Sequence, residues 1–186
     1  MLKHDVKDIV FTSTSTVYGE ADEFPTPEDY SPLEPISLYG ASKLSAENLI
    51  SVYCHSFGFK ATVLRLANII GESSDHGVTY DFVKKLEKDD SSLFVLGNGE
   101  QRKSYLHVED CVDGTLTAVE KREEDFEVLN VGNDDSVSVT EIAECVTDEF
   151  GCDAEIKYEG GEKGWSGDVT EMLLSIEKNE RKELGA

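Results

Sequence analysis

The fold is decided between residues 8 and 67. DIVFTST (8–14) is a short apolar, β-branched run that ends in hydroxyls, the pattern of a buried parallel strand whose carboxyl end opens into a site. LYGASKLSAENLISVYCHSFG (38–58) follows, with Leu44, Leu49, Val52 and Tyr53 at the spacing of an amphipathic helix and Gly58 as its stop. KATVLRLA (60–67) is a second buried strand. Strand, helix, strand make one βαβ step. Working outward, 81–88 reads as helix, 92–96 as extended, 107–121 as helix, 126–131 as extended and 140–150 as helix. This alternation predicts an α/β fold with a largely parallel sheet. All four prolines fall between residues 18 and 37, a stretch read as a long irregular surface loop. Gly97-Asn98-Gly99 reads as a hairpin-like turn.

With 186 residues, 39% hydrophobic and 30% charged, the composition is that of a globular chain. Acidic residues outnumber basic ones 39 to 17, a net charge of -22 spread over the whole length, which excludes nucleic acid as an expected partner. The acids read as a solvated surface, and salt would screen their mutual repulsion, so halophily is a hypothesis tested by comparing stability in dilute buffer and in molar KCl. Cys54, Cys111, Cys145 and Cys152 stand singly, without metal-ligand spacing, as in a reduced cytoplasmic protein. No run of 18 apolar residues occurs and the first residues are too polar for a signal peptide, so neither a membrane span nor secretion is expected.

Tyr39 and Lys43 stand four residues apart, one turn on one helix face. A phenol ordinarily titrates near pH ~10, and an adjacent ammonium favours its phenolate, so such a pair can serve as a base. A solvated helix face would show the same spacing. Context adds weight, because Thr12-Ser13-Thr14 ends the preceding strand and supplies hydroxyls where chemistry is expected.

Five segments then fall in a recognisable order: FTSTSTVYGE (11–20), PISLYGASKLSAE (35–47), VLRLANIIGE (63–72), SYLHVEDCVDG (104–114) and GWSGDV (164–169). Together they resemble the extended short-chain dehydrogenases that act on nucleotide sugars, most of all the UDP-glucose 4-epimerases of archaeal type. The resemblance implies a partial Rossmann-like, doubly wound parallel sheet with a small C-terminal α/β substrate-binding part. Residues 1–72 would carry the later portion of the dinucleotide-binding domain. Residues 73–186 would mainly bind the nucleotide sugar, interleaved with the last Rossmann elements. It further implies NAD as cofactor, a UDP-sugar as substrate and a homodimer built through the Tyr39 helix.

By the same resemblance Tyr39 is the general base, Lys43 its activating cation and ribose ligand, and Thr14 the catalytic hydroxyl, with Ser13 beside the cofactor. Asn68 is either a sugar-nucleotide contact or a turn former. Lys103, or Arg102 next to it, takes the diphosphate. Asp168 contacts the nucleotide ribose, and Lys163 stands near the place of a second phosphate arginine. His107 and Asp110 could be a metal pair or a helix start; without a third ligand the helix start is expected. Ser15 and Thr16 occupy the positions where sugar 4,6-dehydratases carry Asp-Glu, which favours epimerase chemistry. No Gly-x-Gly-x-x-Gly or Gly-x-x-Gly-x-x-Gly occurs in the chain, so the pyrophosphate-binding turn is expected to be missing and the sheet to expose an apolar edge. Three readings stay open: an enzyme half completed by another polypeptide, a noncatalytic nucleotide-sugar binder, and a truncated frame without a stable fold.

Overall fold

The computed structural model describes residues 1, 3–165 and 167–179. The elements run β1 (Asp8–Thr14), a 3-10 turn (Ser15–Tyr18), α1 (Leu38–Phe57), β2 (Lys60–Leu66), β3 (Asn68–Ile70), α2 (Val78–Leu86), β4 (Ser92–Val95), β5 (Arg102–Lys103), β6 (Tyr105–His107), α3 (Val108–Glu120), β7 (Phe126–Val131), β8 (Val137–Ser138), α4 (Val139–Phe150), β9 (Glu155–Tyr158) and β10 (Glu171–Met172). The main sheet has the order β1-β2-β7, all parallel, in register from Asp8↔Lys60 and Ala61↔Phe126. β3 and β6 pair in parallel, as do β4 and β9, and β5 lies between β10, parallel, and β8, antiparallel. The expected α/β fold with parallel strands is therefore present.

β2 is the buried centre of the main sheet, with Ala61, Thr62, Val63, Leu64 and Arg65 all inside. β1 departs from the expectation of a fully buried strand: it has a neighbour on one side among the described residues, and Val10 is exposed. α1 and α3 pack on the sheet, and a second core of Phe82, Leu86, Leu93, Val95, Ala143 and Val146 joins α2, α4 and β4.

α1 has the expected bounds, with the Ser37 hydroxyl accepting from the Gly40 N–H at 3.0 Å and Gly58 in the left-handed conformation at its end. Its inward face differs in part. Leu44 packs inward as expected, as does Ile50, beside the buried Gly40, Glu47 and Cys54, but Leu49, Val52 and Tyr53 are exposed. A charged residue shares that inward face: Glu47 meets Arg65 of β2 at 2.8 Å.

Two turns also differ from their sequence reading. The proline-rich stretch is irregular but not all surface, since Thr26 is buried and exchanges backbone bonds with Leu173 and Ser175 near the other end of the chain. Its open backbone groups find partners in a distant segment. Gly97 and Gly99 (φ 75 and 80) join β4 to β5, which belong to different sheets, so the turn closes no hairpin.

Candidate active site

Parallel strands place their carboxyl ends at one edge of the sheet, and ligand crevices form there. β1 ends on Thr14, whose Oγ1 accepts from the Thr16 N–H at 3.3 Å and the Thr16 hydroxyl at 3.2 Å, capping the 3-10 turn. Gly40 brings α1 against that turn. A Cβ there would lie 2.7 Å from the Thr16 carbonyl oxygen and 2.9 Å from Pro35 Cβ, so the approach requires glycine. Tyr39, beside it, is held at the sheet end with 55% of its surface exposed. Lys43 donates to the Thr12 carbonyl at 2.7 Å, and its ammonium lies 5.7 Å from the Tyr39 ring centroid and 5.0 Å from that of Phe11. Phenol, ammonium and threonine hydroxyl thus come together.

A cavity of about 1100 Å³ opens in front of the Tyr39 phenol and the Thr14 hydroxyl. Thr14, Tyr39, Asn68, Lys103, Tyr105 and Asp168 all line it. Asn68 begins β3 with its backbone N–H on the Ser104 carbonyl at 3.3 Å, and its side-chain Nδ2 has no hydrogen-bond partner among the described residues. Lys103 donates to Asp168 Oδ1, and the Gly164 N–H donates to Asp168 Oδ2 at 3.1 Å. Burial pushes the Tyr105 phenol up to about 12, with the Asp168 charge acting in the same direction. Sequence reasoning missed Tyr105, although it stands two residues beyond Lys103 and so points to the same side of an extended segment.

Successive residues of a strand face opposite ways, and this separates Arg102 from Lys103. Arg102 is not among the cavity-lining residues; it reaches the Ser136 carbonyl at 2.7 Å and Glu141 at 3.0 Å. Lys163 pairs with Glu20 and likewise does not line the cavity. Ser13 lines it, with its hydroxyl donated to Glu47. His107 caps α3, its Nδ1 accepting from the Glu109 N–H at 3.4 Å, and no metal-binding cluster is found among the described residues.

Behind the site lies a buried polar network. Ser13, Glu47, Arg65, Tyr18 and Asn130 tie β1, α1, β2, the 3-10 turn and β7 together. Burial pushes the Tyr18 phenol up to about 12. The sequence carried a signal for this network: Arg65 sits inside an apolar strand, and Glu47 lies one turn beyond Lys43.

Residues 1–132 match the NAD dependent epimerase/dehydratase family. The chain belongs to that family. A putative UDP-glucose 4-epimerase of Methanocaldococcus jannaschii is 32% identical over 97% of this chain and 58% of its own length. Among solved structures, a UDP-galactose 4-epimerase superposes with a TM-score of 0.88 at 40% identity, over 97% of this chain and 58% of the other. The UDP-glucose 4-epimerase of Thermotoga maritima, solved with UDP-glucose, gives 0.84 at 34% identity, over 98% and 58%. The chain therefore spans a little over half the length of these relatives.

The family's cofactor is NAD. Residues present here fit its reactive end: an exposed phenol with an ammonium beside it, at the carboxyl end of a parallel sheet. The chain holds no glycine-rich strand-to-helix turn for the pyrophosphate. Among the described residues no helix is long and apolar enough to cross a membrane, and all four cysteines are free thiols.

Proposed function

We propose that this chain is the catalytic and sugar-nucleotide-binding half of an NAD-dependent nucleotide-sugar 4-epimerase of the UDP-glucose/UDP-galactose type. One observation carries the reading: Thr14 and Tyr39 face the same cavity as Lys103, Asp168 and Asn68. A phenol base and a lysine ammonium in one cavity suit a sugar diphosphate whose hydroxyl is the reacting group.

In this reading Tyr39, as phenolate, accepts the proton of the C4 hydroxyl, and Lys43 stabilises that negative charge. The Thr14 hydroxyl orients the C4 oxygen. NAD, when bound, supplies the acceptor and later the donor of one hydride. Tyr39 then returns its proton to the C4 oxygen after the keto sugar has turned over, which yields the epimer. Ser15 and Thr16 support epimerisation over dehydration, since no carboxylate stands at these positions to remove a C5 proton. Lys103 meets the diphosphate, Asp168 the ribose and Asn68 the sugar nucleotide. Arg102 is committed to α4, which favours Lys103 of the two candidates. Dimerisation would use the exposed Leu38, Leu49 and Val52 face of α1.

Because the relatives are longer, the test supplies the pyrophosphate-binding half, about 100 residues of a family relative, as a separate polypeptide. Conversion of UDP-glucose to UDP-galactose with NAD+ is expected, and Tyr39→Phe should lower it by about 10²–10⁴-fold. UDP-glucose binding without turnover would leave a noncatalytic binder. Absence of binding would sink both.

A further inference from the structure

Every basic side chain among the described residues lining the cavity already has a carboxylate beside it. Lys103 is bonded to Asp168, Lys85 lies 2.6 Å from Asp81 and also bonds the Phe94 carbonyl, and His76 lies 2.7 Å from Asp75. In a chain of net charge -22, the site at rest offers no unpaired positive group among its described lining residues. The Lys103 pair is the enclosed one: side-chain exposure is 22% for Lys103 and 9% for Asp168. Asp168 is also held by the Gly164 N–H, so it is fixed in place while the longer lysine can swing.

Resting on the nucleotide-sugar reading above, we infer that Asp168 is a specificity-determining residue: an internal competitor that blocks Lys103 until a nucleoside diphosphate exchanges partners with both. A diphosphate that takes Lys103 strips a nearly buried carboxylate of its counter-ion, and that loss is costly unless another donor replaces the ammonium. A ribose hydroxyl is such a donor. Inorganic diphosphate brings no neutral hydroxyl, only a polyanion that repels the carboxylate, so it frees Lys103 at the expense of leaving Asp168 without a counter-ion. The pair thus filters out simple anions. If it is closed about nine-tenths of the time, the apparent affinity for a competing anion falls by about tenfold.

The test measures binding of inorganic diphosphate and of UDP to the full chain by calorimetry. Asp168→Asn keeps the acceptor for Gly164 and removes the charge; Asp168→Ser removes it with a smaller side chain. Either folded variant should bind inorganic diphosphate about tenfold more tightly than the parent chain, and the gain should vanish when Lys103→Met is added. Unchanged diphosphate affinity in the folded variants overturns the inference, as does a gain that persists without Lys103. A role for Asp168 as a ribose contact alone predicts weaker UDP binding with diphosphate unaltered. A parent chain that binds diphosphate as well as UDP overturns the filter, whereas one that binds diphosphate and no UDP overturns the nucleotide reading itself.

Discussion

Replacing Arg65 by methionine should remove much of the stability of the chain while leaving every catalytic side chain in the sequence. Arg65 and Glu47 are each only 4% exposed. The guanidinium donates to Glu47 at 2.8 Å and, through Nε, at 3.3 Å to both carboxylate oxygens; it also donates to the Tyr18 hydroxyl and the Glu28 carbonyl, each at 3.0 Å. Methionine would fill the space of the stem and supply none of these. Glu47 would keep the Ser13 hydroxyl as its remaining described donor and lie uncompensated in the core. Losing one partner of a buried pair costs about 3–5 kcal/mol, against a total of roughly 5–15 kcal/mol for a domain. With a urea dependence of about 2 kcal/mol per molar, the midpoint should fall by about 2 M, read by far-ultraviolet circular dichroism. Replacing Glu47 by leucine as well removes the stranded charge, so the double variant should recover much of the loss, with a coupling of about 2–3 kcal/mol in the cycle. The reasoning is refuted if Arg65→Met costs under about 1 kcal/mol, or if the two changes simply add.

Four further outcomes follow from single contacts. Gly40→Ala should cost about 1–3 kcal/mol by thermal unfolding, because the added Cβ meets backbone at 2.7 Å; in an open helix the same change stabilises by about 0.5–1 kcal/mol, and stabilisation here would contradict the close approach. Ser138→Ala should lose about 1 kcal/mol in urea titration, since Ser138 and Glu141 form a capping box at the start of α4; an unchanged midpoint would mean that the box contributes nothing. The Arg122 guanidinium donates to Asp8 at 2.6 and 2.7 Å and holds its carboxyl below the ordinary value, so the associated stability is present above pH ~4 and fades as pH falls through the lowered value. Asp8 is largely exposed, so Arg122→Met should flatten the acid limb only slightly, and an effect appearing above pH ~6 would point elsewhere. Tyr18 and Tyr105, both pushed up to about 12 by burial, favour the protonated phenol in the folded state; stability should be full below pH ~10 and decline as pH rises towards 12, and absorbance should show both phenols ionising late, with the Tyr18 contribution absent in Tyr18→Phe.

The sequence by itself determined the elements that carry their own signal. β1, α1 and β7 lie where alternation, periodicity and the Gly58 stop placed them, because local apolar spacing and a left-handed glycine act within a few residues. The pairing of Tyr39 with Lys43 was legible for the same reason, as one helical turn sets it. That Leu49, Val52 and Tyr53 turn outward while Glu47 turns inward was decided by the tertiary structure, since the partner of Glu47 is an arginine 18 residues away on β2. The two-residue strands β5, β8 and β10 were invisible for a related reason: segments that short exist through their partners, not their composition. Whether Arg102 or Lys103 faces the cavity was a question of strand side, which a pair of adjacent cations cannot settle in sequence. The bond between Lys103 and Asp168 spans 65 residues and comes from packing the segment after β9 against β5. Chemistry written in local spacing could be read from the chain, and the charge balance that governs entry to the site could only be read from the fold.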